Sequence, residues 1–254
     1  MTSESPSKTA QVGHKFDESV RTVLSAIVIA LAIRMFAFEP FNIPSSSMVP
    51  GLLIGDYLFV SKYSYGYSSL STIFGVLPLP GRLFNQAPER GDVVVFKLPR
   101  DNSTDYIKRL VGLPGDTVDV RHGLLYINGV AVERQKLEQP MATNYVRPSE
   151  TTTDYLETFP DGNQHVIREE GDDFALDNTP MFIIPPRHYF MMGDNRDNSA
   201  DSRAPNGGVG YVPEENLVGK AQILFFSLDG RAHFWEIWKW PWAVRWDRLF
   251  KKIS

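Results

Sequence analysis

The chain has 254 residues, 43% of them apolar, which suits a soluble domain with a real core. Its 26 basic and 30 acidic side chains give a net charge of −4, so neither a polyanion partner nor nucleic acid is suggested. Cysteine is absent, which excludes a thiol nucleophile, cysteine-ligated zinc and disulfides, and says little about compartment.

Residues 1–21 read as a cytoplasmic tail and 22–38 as a membrane anchor. From Thr22 to Ile33 the chain is apolar, then come Arg34 and Met35 to Phe38. A crossing helix needs about 20 residues, so this span is slightly short and Arg34 is expected to snorkel toward the far headgroups. The rival is a cleavable signal peptide, since Ala30-Leu31-Ala32 has the small-x-small form of a cleavage site. That tripeptide, however, lies inside the apolar run, where it would be helical and buried. Lys8, Lys15 and Arg21 precede the span, which keeps the N-terminus cytoplasmic and exports the rest; Arg34 opposes this by one charge.

Nine residues beyond Phe38 stands Ser47, inside Ile43-Pro44-Ser45-Ser46-Ser47-Met48-Val49-Pro50. Fully extended, that tether reaches about 30 Å. Chemistry at Ser47 is therefore confined to the outer membrane surface, and the flanking prolines stiffen what would otherwise be a flexible serine loop.

Short strands follow. Asp56–Val60 is one candidate, and residues 61–90 read as a long excursion exposing Ile73, Phe74 and Leu77, either dipping into the membrane or packed as an ordinary loop. Gly91–Phe96 and Tyr106–Val111 read as strands, the first buried. Leu124–Val132 carries Asn128-Gly129, the signature of a type I′ hairpin. Residues 133–178 are polar and threonine-rich, a β-rich insert with mobile loops. Strand character returns at Met181–Ile184, Tyr189–Met192 and Gln222–Leu228, which turns at Asp229-Gly230. All five tryptophans fall between 235 and 246, followed by Arg248, Lys251 and Lys252. This pattern reads as a tail resting at the lipid interface, with core packing interrupted by Pro241 as the rival. The fold expected is mainly β: one N-terminal transmembrane helix, then an all-β catalytic region over 39–115 and 181–230. A β-rich subdomain is inserted at 116–180, and 231–254 forms the Trp-rich tail.

For chemistry, the five histidines lack the His-Glu-x-x-His spacing of a zinc protease, and no Gly-x-Ser-x-Gly elbow is present. A serine hydroxyl becomes a useful nucleophile only when a base takes its proton, and lysine serves in some serine enzymes. A lysine base must be neutral near pH 7, which burial away from counter-charges can achieve. On a strand, Tyr106, Lys108 and Leu110 share one face, giving Lys108 apolar and aromatic neighbours, while Arg109 on the other face is expected to be solvated. A third segment, Gly193-Asp194-Asn195-Arg196-Asp197-Asn198-Ser199-Ala200-Asp201-Ser202-Arg203, is dense in polar groups. Asp197-x-Ser199-x-Asp201 imitates the start of a calcium loop, but Ser202 stands where the loop needs glycine and Gly208 where it needs glutamate.

In their order, the Ser47 motif, the Lys108 strand and the 193–203 segment resemble bacterial type I signal peptidases, membrane-bound serine proteases that remove signal peptides from exported proteins. The likeness covers roughly residues 20–60, 90–130 and 185–225. It implies Ser47 as nucleophile, Lys108 as general base, and an oxyanion hole from the Ser47 N–H and the Ser45 hydroxyl. It also implies that Ser199 hydrogen-bonds the lysine amine, that Asp201 and Arg203 form a bracing ion pair, and that Asp194 and Arg196 are structural supports. Phe41, Ile43, Met48, Leu52, Val95, Tyr106 and Ile107 would line shallow pockets for small substrate side chains, with Asp105 and Tyr106 offering strand-edge backbone. No cofactor is implied. The partners implied are preproteins carrying signal peptides, emerging from the secretion machinery, and membrane lipid; the location implied is the bacterial inner membrane, single-pass, with the catalytic region outside. The chain departs from the family at Gly51, where threonine is usual, at Ser46, where glycine is common, after Arg203, where an aromatic-glycine step is usual, and in having one span before the serine rather than two. Two rivals share parts of the pattern: a self-cleaving repressor with Ser-Lys chemistry, which would carry a DNA-binding domain in place of the anchor, and a membrane-tethered β scaffold without activity.

Overall fold

A computed structural model describes residues 8–72, 79–139, 141, 152–204 and 207–253, with side chains described from residue 18 onward. Ile73, Phe74 and Leu77 of the excursion, the 142–151 stretch of the insert and Pro205-Asn206 after Arg203 lie outside the described residues. Helix α1 spans Lys8–Phe36, and its Glu18–Phe36 portion is long and apolar enough to cross a membrane, with none of it buried against the rest of the chain. The helix stops two residues before the expected anchor boundary. Phe38 already begins a strand, so the chain enters the sheet almost at once. Arg34 does not simply snorkel outward: it forms an ion pair with Glu39 at 3.0 Å, while the backbone N–H of Lys62 donates to the Ala37 carbonyl.

Strands β1 (Phe38–Asn42), β2 (Asp56–Ser61), β3 (Val93–Lys97) and β4 (Asp105–Gly112) come first. The insert supplies β5 (Thr117–Arg121), β6 (Leu124–Ile127), β7 (Val130–Ala131), β8 (Glu133–Lys136), β9 (Thr153–Thr158) and β10 (Gln164–Glu169). Next are β11 (Phe182–Ile183), β12 (His188–Met192), β13 (Val212–Pro213) and the long β14 (Leu217–Ser227), followed by the short helix α2 (Trp240–Ala243). The main sheet runs β1-β2-β14-β3-β4-β12-β13, and its neighbouring strands pair antiparallel. Two smaller sheets, β10-β9-β8 and β11-β5-β6-β7, flank it.

Local chemistry explains the main elements. Val93 to Phe96 are all buried because β3 is interior to the sheet and covered on both faces. Asn128 and Gly129 adopt φ of 54° and 77°, the left-handed pair that a type I′ turn requires between β6 and β7. One apolar cluster, with Leu58, Val60, Val93, Val95, Val218 and Leu224 at its centre, lies directly beneath the serine motif.

The C-terminal segment divides its labour. Trp235, Trp238, Trp242 and Trp246 are 60–72% exposed, whereas Trp240 packs against Phe226 with ring centroids 4.7 Å apart. Arg248, read from sequence as a lipid-facing cation, is instead buried. It pairs with buried Asp56 and donates to the Gly51 carbonyl at 2.9 Å, because a carboxylate inside the core needs a cation more than a headgroup does. The tail is thereby tied under the loop that carries Ser47.

Candidate active site

Ser47 sits in a tight turn between β1 and β2. The Val49 N–H donates to the Ser46 carbonyl and the Leu52 N–H to the Met48 carbonyl, which closes the turn on itself. Met48, Leu52 and Ile43 point into the core cluster and anchor the turn from below, with exposures of 1–2%. The 193–203 segment holds it from the side. There the Asn195 N–H donates to the Ser47 carbonyl at 3.1 Å, and the Asn195 Nδ2 donates to the Ser46 carbonyl at 3.1 Å. Gly193 has no room for a side chain: a Cβ there would stand 2.5 Å from the Ser47 carbonyl oxygen and 2.2 Å from Ser199 Oγ.

Lys108 reaches this turn from β4. Its Nζ stands 2.5 Å from Ser47 Oγ and donates to the Ile107 carbonyl at 3.0 Å. The amine also lies 5.6 Å from the Tyr106 ring centroid. Both groups are nearly out of water, Lys108 at 3% exposure and Ser47 at 8%. Burial pushes the Lys108 amine down to about 8, against the smaller upward pull of the carboxylates of Asp201 and Asp194. An amine so placed is roughly one-tenth neutral at pH 7 and half neutral at about pH 8, and the lone pair of the neutral form can take the Ser47 proton.

The other residues singled out from sequence fall into distinct places. Ser45 is exposed, with Oγ 3.3 Å from Ser47 Oγ. Ser199 Oγ is buried beside Gly193 but forms no hydrogen bond in this structure, to Lys108 or to any other described group. Asp201 and Arg203 pair through two contacts, and Asp201 also accepts from the Gly193 N–H at 3.0 Å. Val95 joins Ile43, Met48 and Leu52 in the core floor, Phe41 and Ile107 pack partly exposed at its margin, and Tyr106 belongs to a neighbouring apolar cluster. Beyond β3, strand β4 pairs with β12 only at Arg109, Leu110 and Gly112, so among the described residues the Asp105–Ile107 edge has no strand on its outer side.

One expectation is corrected. Arg109 is not solvated: it is 4% exposed and forms a bidentate pair with Asp194, both contacts at 2.8 Å, while its Nη1 donates to the Gly91 carbonyl at 2.7 Å. The insert packs over that face of β4 and removes it from water. Sequence reasoning also missed what surrounds this pair. Arg196 is wholly buried in a bidentate pair with Glu157 of β9, and His165 of β10 approaches the same carboxylate at 3.3 Å. Against the burial that would raise it, Arg196 and His165 hold the Glu157 carboxyl down at about 2. The Arg168 N–H donates to the Asp194 carbonyl, and the Arg168 guanidinium pairs with Asp154. The only available signal was the density of charge in β9 and β10, which in isolation looks like a solvated face.

Comparison with known proteins agrees over most of the chain. Residues 16–226 match the family model described as "Signal peptidase, peptidase S26". A signal peptidase I from Rickettsia typhi is 38% identical over 246 residues, covering 89% of this chain and 90% of its own. That of Rickettsia conorii is 39% identical over 249 residues, covering 89% of each. A solved signal peptidase I from Enterococcus faecalis is 30% identical, covering 53% of this chain and 97% of its own, with a TM-score of 0.31.

Proposed function

The chain belongs to the S26 signal peptidase family of serine peptidases, and from that premise we propose that it cleaves preproteins after a small-x-small motif with Ser47 as nucleophile and Lys108 as general base. The observation that carries this assignment is the 2.5 Å approach of Lys108 Nζ to Ser47 Oγ, across 61 residues of sequence, with both side chains buried. Neutral Lys108 takes the hydroxyl proton as Ser47 Oγ attacks the scissile carbonyl carbon. The tetrahedral oxyanion is stabilised by the Ser47 N–H and the Ser45 hydroxyl, each worth roughly 3–4 kcal/mol in such a role. Lys108 then protonates the departing amine, and later activates the water that hydrolyses the acyl-enzyme.

The substrate lies extended along the open Asp105–Ile107 edge, its backbone adding to the sheet. The floor of Ile43, Met48, Leu52 and Val95 is already packed, so side chains larger than alanine at the first and third positions before the cut meet filled space. Ser199 stands beside the dyad and turns onto the lysine amine when it becomes charged. Helix α1 anchors the protein in a bacterial inner membrane, with the N-terminus cytoplasmic and the catalytic region outside. The exposed tryptophans of the tail rest in the headgroup zone. The partners are preproteins emerging from the secretion machinery.

The test incubates detergent-solubilised protein with a preprotein bearing an Ala-x-Ala site, beside the Ser47→Ala variant, and reads product masses. A single cut after the second alanine, absent in the variant, is the expected result. Cleavage by the variant, or no cleavage in either detergent or lipid, would overturn the assignment.

A further inference from the structure

A cavity of about 480 Å³ opens where β1 and β4 begin; Asp105 lines it, whereas Ser47 and Lys108 do not. Phe41 of β1 and Asp105 of β4 both line it, so the two segments that lead to Ser47 and Lys108 start at its walls. Its other sides are the C-terminal end of α1 at Arg34, the end of β3 at Lys97, and the turn at residues 70–72 of the long excursion. The cavity therefore joins the end of the membrane helix to the start of the open Asp105–Ile107 edge.

Its charge is uneven. Three cations, Arg34, Lys62 and Lys97, face two carboxylates, Glu39 and Asp105, which leaves an excess of one positive charge. Glu39 is shared, with Lys62 Nζ at 2.8 Å and Arg34 at 3.0 Å, while Lys97 pairs with Asp105 at 2.8 Å. Lys62 is 1% exposed and cannot leave its partner without stranding a buried charge. The Arg34 and Lys97 side chains are 55% and 23% exposed, and these two can turn toward a ligand.

Distance and direction select the occupant. Asp105 precedes Lys108 by three residues on β4, about 10 Å at the rise of a strand. An extended peptide with its cut bond at Ser47 thus passes Asp105 about four residues from the cut and fills the cavity with the next three. Because the cavity adjoins the end of the membrane helix, the part of a membrane-emerging substrate that enters it is the part before the cut. Resting on the peptidase assignment above, we propose that this cavity is a polar subsite for substrate residues about five to seven positions before the cut, favouring acidic or neutral polar side chains and rejecting lysine and arginine. It also gives the turn at residues 70–72 a task, as the far wall of a specificity pocket.

The experiment uses peptides sharing one Ala-x-Ala site, with Glu, Gln or Lys five and six residues before the cut, assayed on the full-length protein in detergent. A second set carries the same changes two residues after the cut. The expected kcat/KM falls from Glu through Gln to Lys with a spread of about fivefold, the size of a partly screened charge contact. The spread shrinks with added salt, and the downstream set is flat. Lys97→Glu converts the excess from +1 to −1 and reverses the order; Arg34→Gln brings it to zero and flattens it. Rankings are compared within each variant, so a general loss of activity cancels. Equal rates for the three upstream peptides, or an unchanged order in Lys97→Glu or Arg34→Gln, would overturn the subsite while leaving the peptidase intact. No cleavage of any peptide would instead remove the peptidase assignment, and the subsite with it.

Discussion

Lys108 and Arg109 are neighbours on β4 and both lie out of water, at 3% and 4% exposure. Because a strand alternates its faces, the two cations meet different surroundings. Lys108 has a hydroxyl, a carbonyl and an aromatic ring within reach, and no carboxylate among the described residues contacts it. Its charge is the costlier state, and burial lowers the amine to about 8. Arg109 faces Asp194 in a two-point clamp, and the pair is held further by Gly91 and by Arg168 behind Asp194. Burial by itself decides neither outcome; the partner does. The same desolvation lowers an amine on one face and locks a guanidinium–carboxylate pair on the other.

The strongest way to test this contrast is to exchange the consequences. Ser47→Ala and Lys108→Met are each expected to lower kcat at least about 10⁴-fold, as loss of a nucleophile or its base does elsewhere. Lys108→Met should leave the denaturation midpoint nearly unchanged, since it removes a buried amine without orphaning a carboxylate. A large stability loss in Lys108→Met would place the lysine with the struts. Asp194→Asn should do the opposite, costing roughly 3–5 kcal/mol in urea unfolding by leaving Arg109 buried without its counter-charge. An Asp194→Asn protein as stable as the parent would show that the clamp is not what holds that face.

A smaller and more specific effect is expected from pH. The rate should rise with pH through about 8 and level off above it, as the Lys108 amine becomes neutral; a profile still climbing past pH 10 would contradict this. The linked stability has a definite sign. The folded value lies below the ~10.4 of an unfolded lysine, so between about 8 and ~10.4 the unfolded chain binds more protons. Stability relative to Lys108→Met should therefore increase across that window. The smallest effect is assigned to Ser199→Ala. Its hydroxyl has no partner in the resting structure, so stability should change by less than about 1 kcal/mol. Turnover should still fall about 10- to 100-fold if Ser199 bonds the charged amine during reaction, and unchanged turnover would remove it from the mechanism.

Local patterns in the chain were readable where one residue type has one physical use. The apolar run of α1, the Asn128-Gly129 turn and the valine run of β3 are of this kind. The placement of Ser47 and Lys108 was readable only as a joint pattern, since a serine loop or a strand lysine is ordinarily solvated. The charges of β9 and β10 were not readable at all. Glu157, His165 and Arg168 stand in short strands rich in polar residues that read as solvated, and only tertiary packing buries them. Arg248 was misread for the same reason, because its partner Asp56 lies 192 residues away.

The sequence by itself determined the elements, the family and the chemical types at the site, because these depend on near neighbours in the chain: hydropathy over one helix, alternation over one strand, prolines around one turn. Tertiary structure alone decided the charge states and the supports. Whether the Lys108 amine is lowered, Arg109 clamped, or Arg248 buried depends on desolvation and on which carboxylate arrives from a distant segment. Those are properties of packed surfaces, and no local pattern encodes them.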